Sequence, residues 1–207
     1  MRKVSDTTKT PSRRADYAAM TRQAIVDAAR SLYASKGFFA TTVEEIAAVA
    51  RVAPATVYAS GGGKHGLLHA LIDQWQTAPV IDATYRHIAG LDDGEAILKA
   101  TAQGTRKVRE EWGDVVRVVR STAPHDERIA ELLSEVTTNY RNGMVLTAQR
   151  LAEIGALRKG VRTRAATDVL WFYFGYSSYS TLTDENHWSL DQAQNWLYQQ
   201  ACDALLQ

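Results

Sequence analysis

Residues 42–59, TVEEIAAVARVAPATVYA, constrain this chain more than any other stretch. Thr42 and Glu45 have the spacing of a capping box: the hydroxyl takes an orphan amide while the carboxylate reaches back, so a helix starts here. Val43, Ile46, Ala47 and Ala50 recur on one face, and the small alanines let a following helix cross closely. Pro54 fits the first turn of that next helix, where its missing N–H is no loss. Two short helices set at a wide angle by a tight turn are a common device for placing a helix in the DNA major groove.

The flanks extend the pattern. Residues 21–36 predict a helix capped by Thr21, with Ala24, Ile25, Ala28 and Leu32 on its apolar face. Gly37 stops it, and Phe38 and Phe39 follow as core plugs. The helix opened by Pro54 runs through Tyr58 and ends at the helix-breaking Gly61-Gly62-Gly63. A fourth helix covers roughly 64–77, with Leu67, Leu68, Leu71, Ile72 and Trp75 as its buried stripe. Pro79 interrupts the run, and helical pattern resumes over 80–89. Residues 1–15 are polar, contain Pro11, and read as a disordered basic arm that lies along phosphates or simply solubilises the chain.

Beyond Gly90 the pattern stays helical, with helices near 93–111, 114–121, 126–154, 164–182 and 190–206. Gly113, Pro124, Gly155, Gly160 and the stretch 183–189 are the breakers, and Asp126 and Ser189 are N-caps. No strand is convincing; VVRVV at 115–119 is short and ambiguous. The expected fold class is therefore all-α, divided into the arm at 1–15, a helix-turn-helix domain at 16–66 and a helical body at 67–207.

The net charge of +1 hides an asymmetry. Residues 1–66 hold 10 Lys/Arg against 5 Asp/Glu, while the remainder is net acidic. A basic head on an acidic body suits a polyanion-binding module joined to a regulatory one, although scattered surface charge gives the same count. The one cysteine, Cys202, excludes an intrachain disulfide and a cysteine zinc finger, and fits a reducing cytoplasm. No apolar run approaches the ~18 residues of a membrane span, and residues 1–20 lack the apolar stretch of a signal peptide.

Enzyme and metal signatures are weak. GGGK at 61–64 lacks the glycine spacing and preceding strand of a phosphate-cradling loop. No serine–histidine–acid arrangement has a local signature. His65, His69 and Asp73 share a helix face at i, i+4, i+8, a spacing that can hold a divalent ion, but such groups are more often surface residues. No metal site, cofactor or catalytic activity is expected.

The segment TRQAIVDAARSLYASKGFFATTVEEIAAVARVAPATVY resembles the N-terminal domain of TetR-type transcriptional regulators along its 38 residues, from the first helix through G-F and T-T-V-x-x-I-A to T-V-Y. The tail HWSLDQAQNWLYQQACDALL resembles the last helix of many such proteins. The resemblance implies an all-helical homodimer that sets its third helix in each half of a palindromic double-stranded operator. It also implies a small ligand in the body that changes the spacing of the two heads and releases the DNA. By position, Thr42 and Lys64 would touch phosphates, Tyr58 would lie at the DNA face, and Pro54, Ala55 and Thr56 would meet base edges or sugar. The chemistry agrees: helix N-termini are phosphate sites, and a threonine can donate, accept or touch a thymine methyl.

Three departures from that family's pattern stand out. Arg51 occupies the turn where glycine is usual, and a non-glycine residue with positive φ there costs ~1 kcal/mol or more; either the turn is reshaped, or Arg51 is tolerated because it gains a phosphate. Ala59-Ser60-Gly61 replaces an aromatic or histidine pair. The recognition helix itself offers few hydrogen-bonding side chains, which shifts weight to methyl contacts, Arg51 and DNA shape.

In the body, aromatics cluster at Trp75, Tyr85, Trp112, Tyr140, Trp171, Phe172, Tyr173, Phe174, Tyr176 and Tyr179. They are either ordinary core or the lining of a cavity for a planar or lipophilic ligand. Trp75, Trp112, Tyr140, Trp171 and Tyr173 are the candidate effector residues. WFYFGY at 171–176 is apolar around most of a helix and must be covered on several sides. The resemblance supplies the cover: the last two helices pair with their symmetry mates as a four-helix bundle. The sequence thus points to a DNA-binding regulator, a repressor released by a small hydrophobic or aromatic effector. The alternatives are a regulator controlled by a protein partner, or a helical enzyme or carrier with a chance N-terminal likeness.

Overall fold

The computed structural model describes residues 13–207, so the basic arm expected at residues 1–15 falls outside the description up to residue 12. Among the described residues the elements are helices. In order they are α1 (Arg13–Lys36), α2 (Val43–Ala50), α3 (Pro54–Gly61), α4 (Gly63–Gln76), α5 (Pro79–Ala89), α6 (Gly94–Thr122), α7 (Glu127–Glu153), α8 (Thr163–Phe174), α9 (Tyr176–Ser180) and α10 (Leu190–Leu205). A 3-10 turn, Ala123–His125, precedes α7, and one π-helical turn, Thr181–Glu185, extends α9. The only pairing of strand type among them is an isolated bridge between Leu157 and Leu206. The chain forms two compact units, one up to Ile72 and one from Asp73 onward.

In the N-terminal unit α1 packs on α2 and α3, and α2 on α3. Ile25, Ala29, Ile46, Val57, Leu67 and Leu68 are fully buried there. Arg13–Ala15 already belong to α1, so the helix begins well before the cap expected at Thr21. The Thr21 hydroxyl instead donates to the Tyr17 carbonyl one turn back, which is what a mid-helix threonine does. Tyr33, almost wholly buried, donates its hydroxyl to the Lys64 carbonyl at 2.9 Å and so ties the first turn of α4 to α1. The glycines between α3 and α4 form a fixed bend. Gly62 and Gly63 have φ of 67° and 71°, and a Cβ on Gly66 would stand 2.0 Å from the Gly61 carbonyl oxygen.

The body is built on α6, which packs against α5, α7, α8 and α10. Two expectations are corrected here. Gly113 does not divide 93–111 from 114–121; α6 runs through it for 29 residues, and VVRVV is helical. One glycine costs a helix about 1 kcal/mol, and burial of Val115, Val116, Val118 and Val119 outweighs that. The expected helix 164–182, in contrast, is interrupted at Gly175. A Cβ there would meet the Trp171 carbonyl oxygen at 2.3 Å, and the backbone turns to φ −67°, ψ −178°. The N-caps stand as read: Asp126 accepts from the Ile129 amide, and Ser189 forms a capping box with Gln192.

These glycines make opposite predictions for thermal unfolding of the full chain. Gly113→Ala has only the tip of Arg117 within 4 Å of the added methyl and should stabilise by about 1 kcal/mol. Gly66→Ala should destabilise by about 1–3 kcal/mol, because backbone rather than a flexible side chain must give way.

Candidate DNA interface and body cavity

The capping box at the start of α2 is complete. Glu45 N donates to Thr42 Oγ1 at 3.2 Å, and Thr42 N donates to Glu45 Oε2 at 2.9 Å. Lys36 pairs with the same carboxylate, and these donors hold Glu45 below its ordinary carboxylate pKa. Arg51 ends α2 in the left-handed region, at φ 56° and ψ 44°. Its amide donates to the Ala48 carbonyl and that of Val52 to the Ala47 carbonyl, the pair of bonds that closes a helix with a left-handed residue. The turn therefore keeps its geometry with arginine where glycine would be unstrained.

Ala53 precedes α3 in extended conformation, Pro54 fills the first position, and no side chain caps the helix. Arg51, Pro54, Ala55 and Tyr58 are exposed, Tyr58 to 58%, while Val57 faces inward and is fully buried. Thr42 is exposed and Thr56 half-buried. Lys64 is also half-buried. Its Nζ lies 3.4 Å from the Phe39 carbonyl and 4.7 Å from the centre of the Phe38 ring, and burial lowers its pKa while Glu45 raises it. His65 packs its ring edge-on against Phe38 at 5.1 Å. Among the described residues no three His, Cys, Asp or Glu side chains are grouped to hold a metal ion.

The body contains a cavity of about 320 Å³. The last turn of α4 gives it Trp75 and Gln76, α5 gives Ile81, Thr84 and Tyr85, and α6 gives Thr101, Thr105, Val108 and Arg109. Val136, Asn139, Tyr140 and Met144 come from α7, and Tyr176 from α9. Tyr85 fits closely because α7 has glycine opposite it: a Cβ on Gly143 would stand 1.8 Å from the Tyr85 hydroxyl. Asn139 donates to Gln76 at 2.9 Å, linking α7 to the end of α4. Tyr140 donates to the Phe174 carbonyl at 2.6 Å, just ahead of the break at Gly175.

Of the five aromatics singled out from sequence, Trp75 and Tyr140 line this cavity. Trp171 stands behind Tyr140, its ring edge-on at 5.4 Å. Tyr173 lies against the exposed Phe172, and Trp112 is one turn along α6 from the cavity wall. Sequence reasoning passed over Arg109. It continues the inward stripe Leu98, Ala102, Thr105 of α6, and a lone cation in an apolar stripe was the available signal.

Residues 25–71 match the family model for bacterial regulatory proteins of the tetR family. An uncharacterised HTH-type transcriptional regulator, YvkB of Bacillus subtilis (strain 168), is 24% identical over 160 residues, covering 75% of this chain and 80% of YvkB. Among solved structures, NalD, the secondary repressor of the MexAB-OprM multidrug efflux pump in Pseudomonas aeruginosa, superposes with a TM-score of 0.74 at 19% identity, over 93% of this chain and 98% of NalD. SmeT of Stenotrophomonas maltophilia, in complex with triclosan, gives 0.70 at 16% identity, over 91% and 92% of the two chains.

The left-handed Arg51 gives a direct test of the turn. Arg51→Gly should raise stability to unfolding by about 1 kcal/mol through relief of backbone strain. Denaturant titration measures it, and an unchanged or lower midpoint would mean that the arginine side chain compensates locally.

Proposed function

We propose that this chain, a transcription regulator of the TetR family, is a repressor that leaves its operator when a small hydrophobic or aromatic molecule enters the body cavity. The observation that carries the reading is the pairing, in one chain, of a helix-turn-helix with an exposed recognition face and a body cavity walled by aromatic and aliphatic side chains. At about 320 Å³ the cavity lies at the small end of ligand pockets. It favours a small-molecule signal over control by a protein partner, which needs no such space. SmeT, of similar fold, has been solved with triclosan bound.

On this reading α3 enters the major groove, with Pro54, Ala55 and Thr56 at base edges or sugar and Tyr58 against the backbone. Thr42, Arg51 and Lys64 meet phosphates, Lys64 after turning from the Phe39 carbonyl. Because α3 carries few polar side chains, sequence selection comes largely from methyl contacts and from the shape of the duplex. The functional species is a homodimer joined through α8 and α10, which leave Phe172 68% and Trp196 44% exposed in the single chain. Isologous pairing of that surface places two recognition helices on a palindrome. The signal passes along α4, a continuous helix that begins beside the recognition helix in sequence and ends at Trp75 and Gln76 in the cavity wall.

Anisotropy titration with DNA from immediately upstream of the chain's own gene tests this. Binding should be selective over scrambled DNA and fall steeply with salt, as phosphate neutralisation requires. Arg51→Ala should weaken binding and flatten the slope of log K on log salt by about 1. Equal, weak binding to both DNAs across a genome-wide selection would overturn the reading.

A further inference from the structure

Among the residues that line the cavity, Arg109 is the one that carries a charge. Both of its terminal nitrogens, Nη1 and Nη2, are buried without a hydrogen-bond partner. The guanidinium carbon lies over three rings, 5.8 Å from the centre of Tyr140, 5.1 Å from Tyr176 and 5.5 Å from Tyr179. Those rings attract a cation through their faces, but a face does not accept hydrogen bonds as an oxygen does. Burial pushes the Tyr176 and Tyr179 phenols above their ordinary pKa, so neither supplies an anion at neutral pH. The nearest carboxylate along the helix, Glu110, pairs with Arg106, which also binds Asp191. Each of the other ion-paired arginines of the body, Arg86, Arg141 and Arg150, has its own carboxylate.

A buried guanidinium with donors unmet is costly unless something fills them. The cavity beside it has room, and its remaining walls are apolar or neutral. We propose that Arg109 is the anion-binding group of this cavity, and that the effector is a small amphipathic carboxylic acid. Its carboxylate takes both terminal nitrogens, the fork-to-fork geometry that a planar guanidinium matches. Its apolar body lies among Trp75, Ile81, Val108, Val136 and Met144. The Tyr140, Tyr176 and Tyr179 rings hold the guanidinium plane in place before the acid arrives. This inference deepens the sensor reading above and rests on it, since it names the chemistry of the same cavity.

Calorimetric titration of the full, DNA-free chain with matched probes tests the assignment: octanoate against octanamide, and 4-phenylbutyrate against 4-phenylbutanamide. Each acid should bind at least ~10-fold more tightly than its amide, the scale of one charge-assisted bidentate pair. Arg109→Met, which keeps the length and removes the charge, should erase that preference while leaving the amides within about two-fold. Arg109→Lys, which keeps the charge and loses the fork, should retain part of it. Octanoate should also raise the melting temperature of the wild-type chain and leave that of Arg109→Met unchanged. Equal binding of acid and amide, a preference that survives Arg109→Met, or no binding of any probe would each overturn the assignment. The wild-type comparison decides even if a variant fails to fold. The two readings fail separately. Amides binding as well as acids removes the anion but leaves a sensor cavity. Acids that bind through Arg109 without altering operator affinity keep the anion site and remove the sensor.

Discussion

The body depends on the burial of one long helix. α6 offers a continuous inward stripe, and α5, α7, α8 and α10 are arranged to cover it. Ile97, Leu98 and Ala102 at its start and Val116 and Val119 near its end are almost wholly removed from water. Burial of each Ile, Leu or Val side chain among them contributes roughly 1.5–3 kcal/mol, enough to carry the helix through Gly113 without a break. Between these two packed ends the stripe changes character. Thr105, Val108 and Arg109 line open space as well as meeting neighbouring side chains, and that interval is the cavity. The cavity is thus a place where the packing of α6 is left unfinished, bounded by firm core on both sides.

The N-terminal unit works by a different constraint, the fixing of short helices by their ends. α2 and α3 have eight residues each, too short to be stable by propensity alone. The Thr42–Glu45 capping box starts α2, the left-handed Arg51 closes it, and Pro54 sets the first turn of α3. The hydroxyl of Tyr33 and the close approach at Gly66 then fix where α4 begins. Few side chains are spent on this geometry, which leaves Pro54, Ala55 and Tyr58 outward. That outward face, like the tetR-family match over residues 25–71, is what the proposed operator binding requires, and on that proposal its scarcity of polar groups moves the burden of selectivity toward DNA shape.

Much of this was legible in the sequence because it rests on local signals. The capping box, the N-caps at Asp126 and Ser189, and the helix-turn-helix itself are written within a few residues each, whereas the left-handed turn kept at Arg51 is shown by the structure. The breaks at Gly113 and Gly175 were not distinguishable locally. One glycine is spanned because valines beyond it are buried, and the other sits at a break in extended conformation where the Trp171 carbonyl leaves no room for a side chain. Nor could sequence separate aromatics that line a cavity from those that fill a core. Tyr140 and Trp171 are adjacent rings, yet one faces the cavity and the other supports it from behind. Arg109 was passed over because a cation on a long helix ordinarily faces water, and only the converging tyrosines from α7 and α9 bury it.

The central claim is that cavity and operator are coupled through one chain. Thermodynamic linkage makes it testable in both directions: operator affinity with and without a saturating cavity ligand, and ligand affinity with and without saturating operator. The account predicts that each weakens the other by the same factor, on the order of 5–150-fold. A factor of one in both directions, with each partner still bound tightly alone, would contradict it.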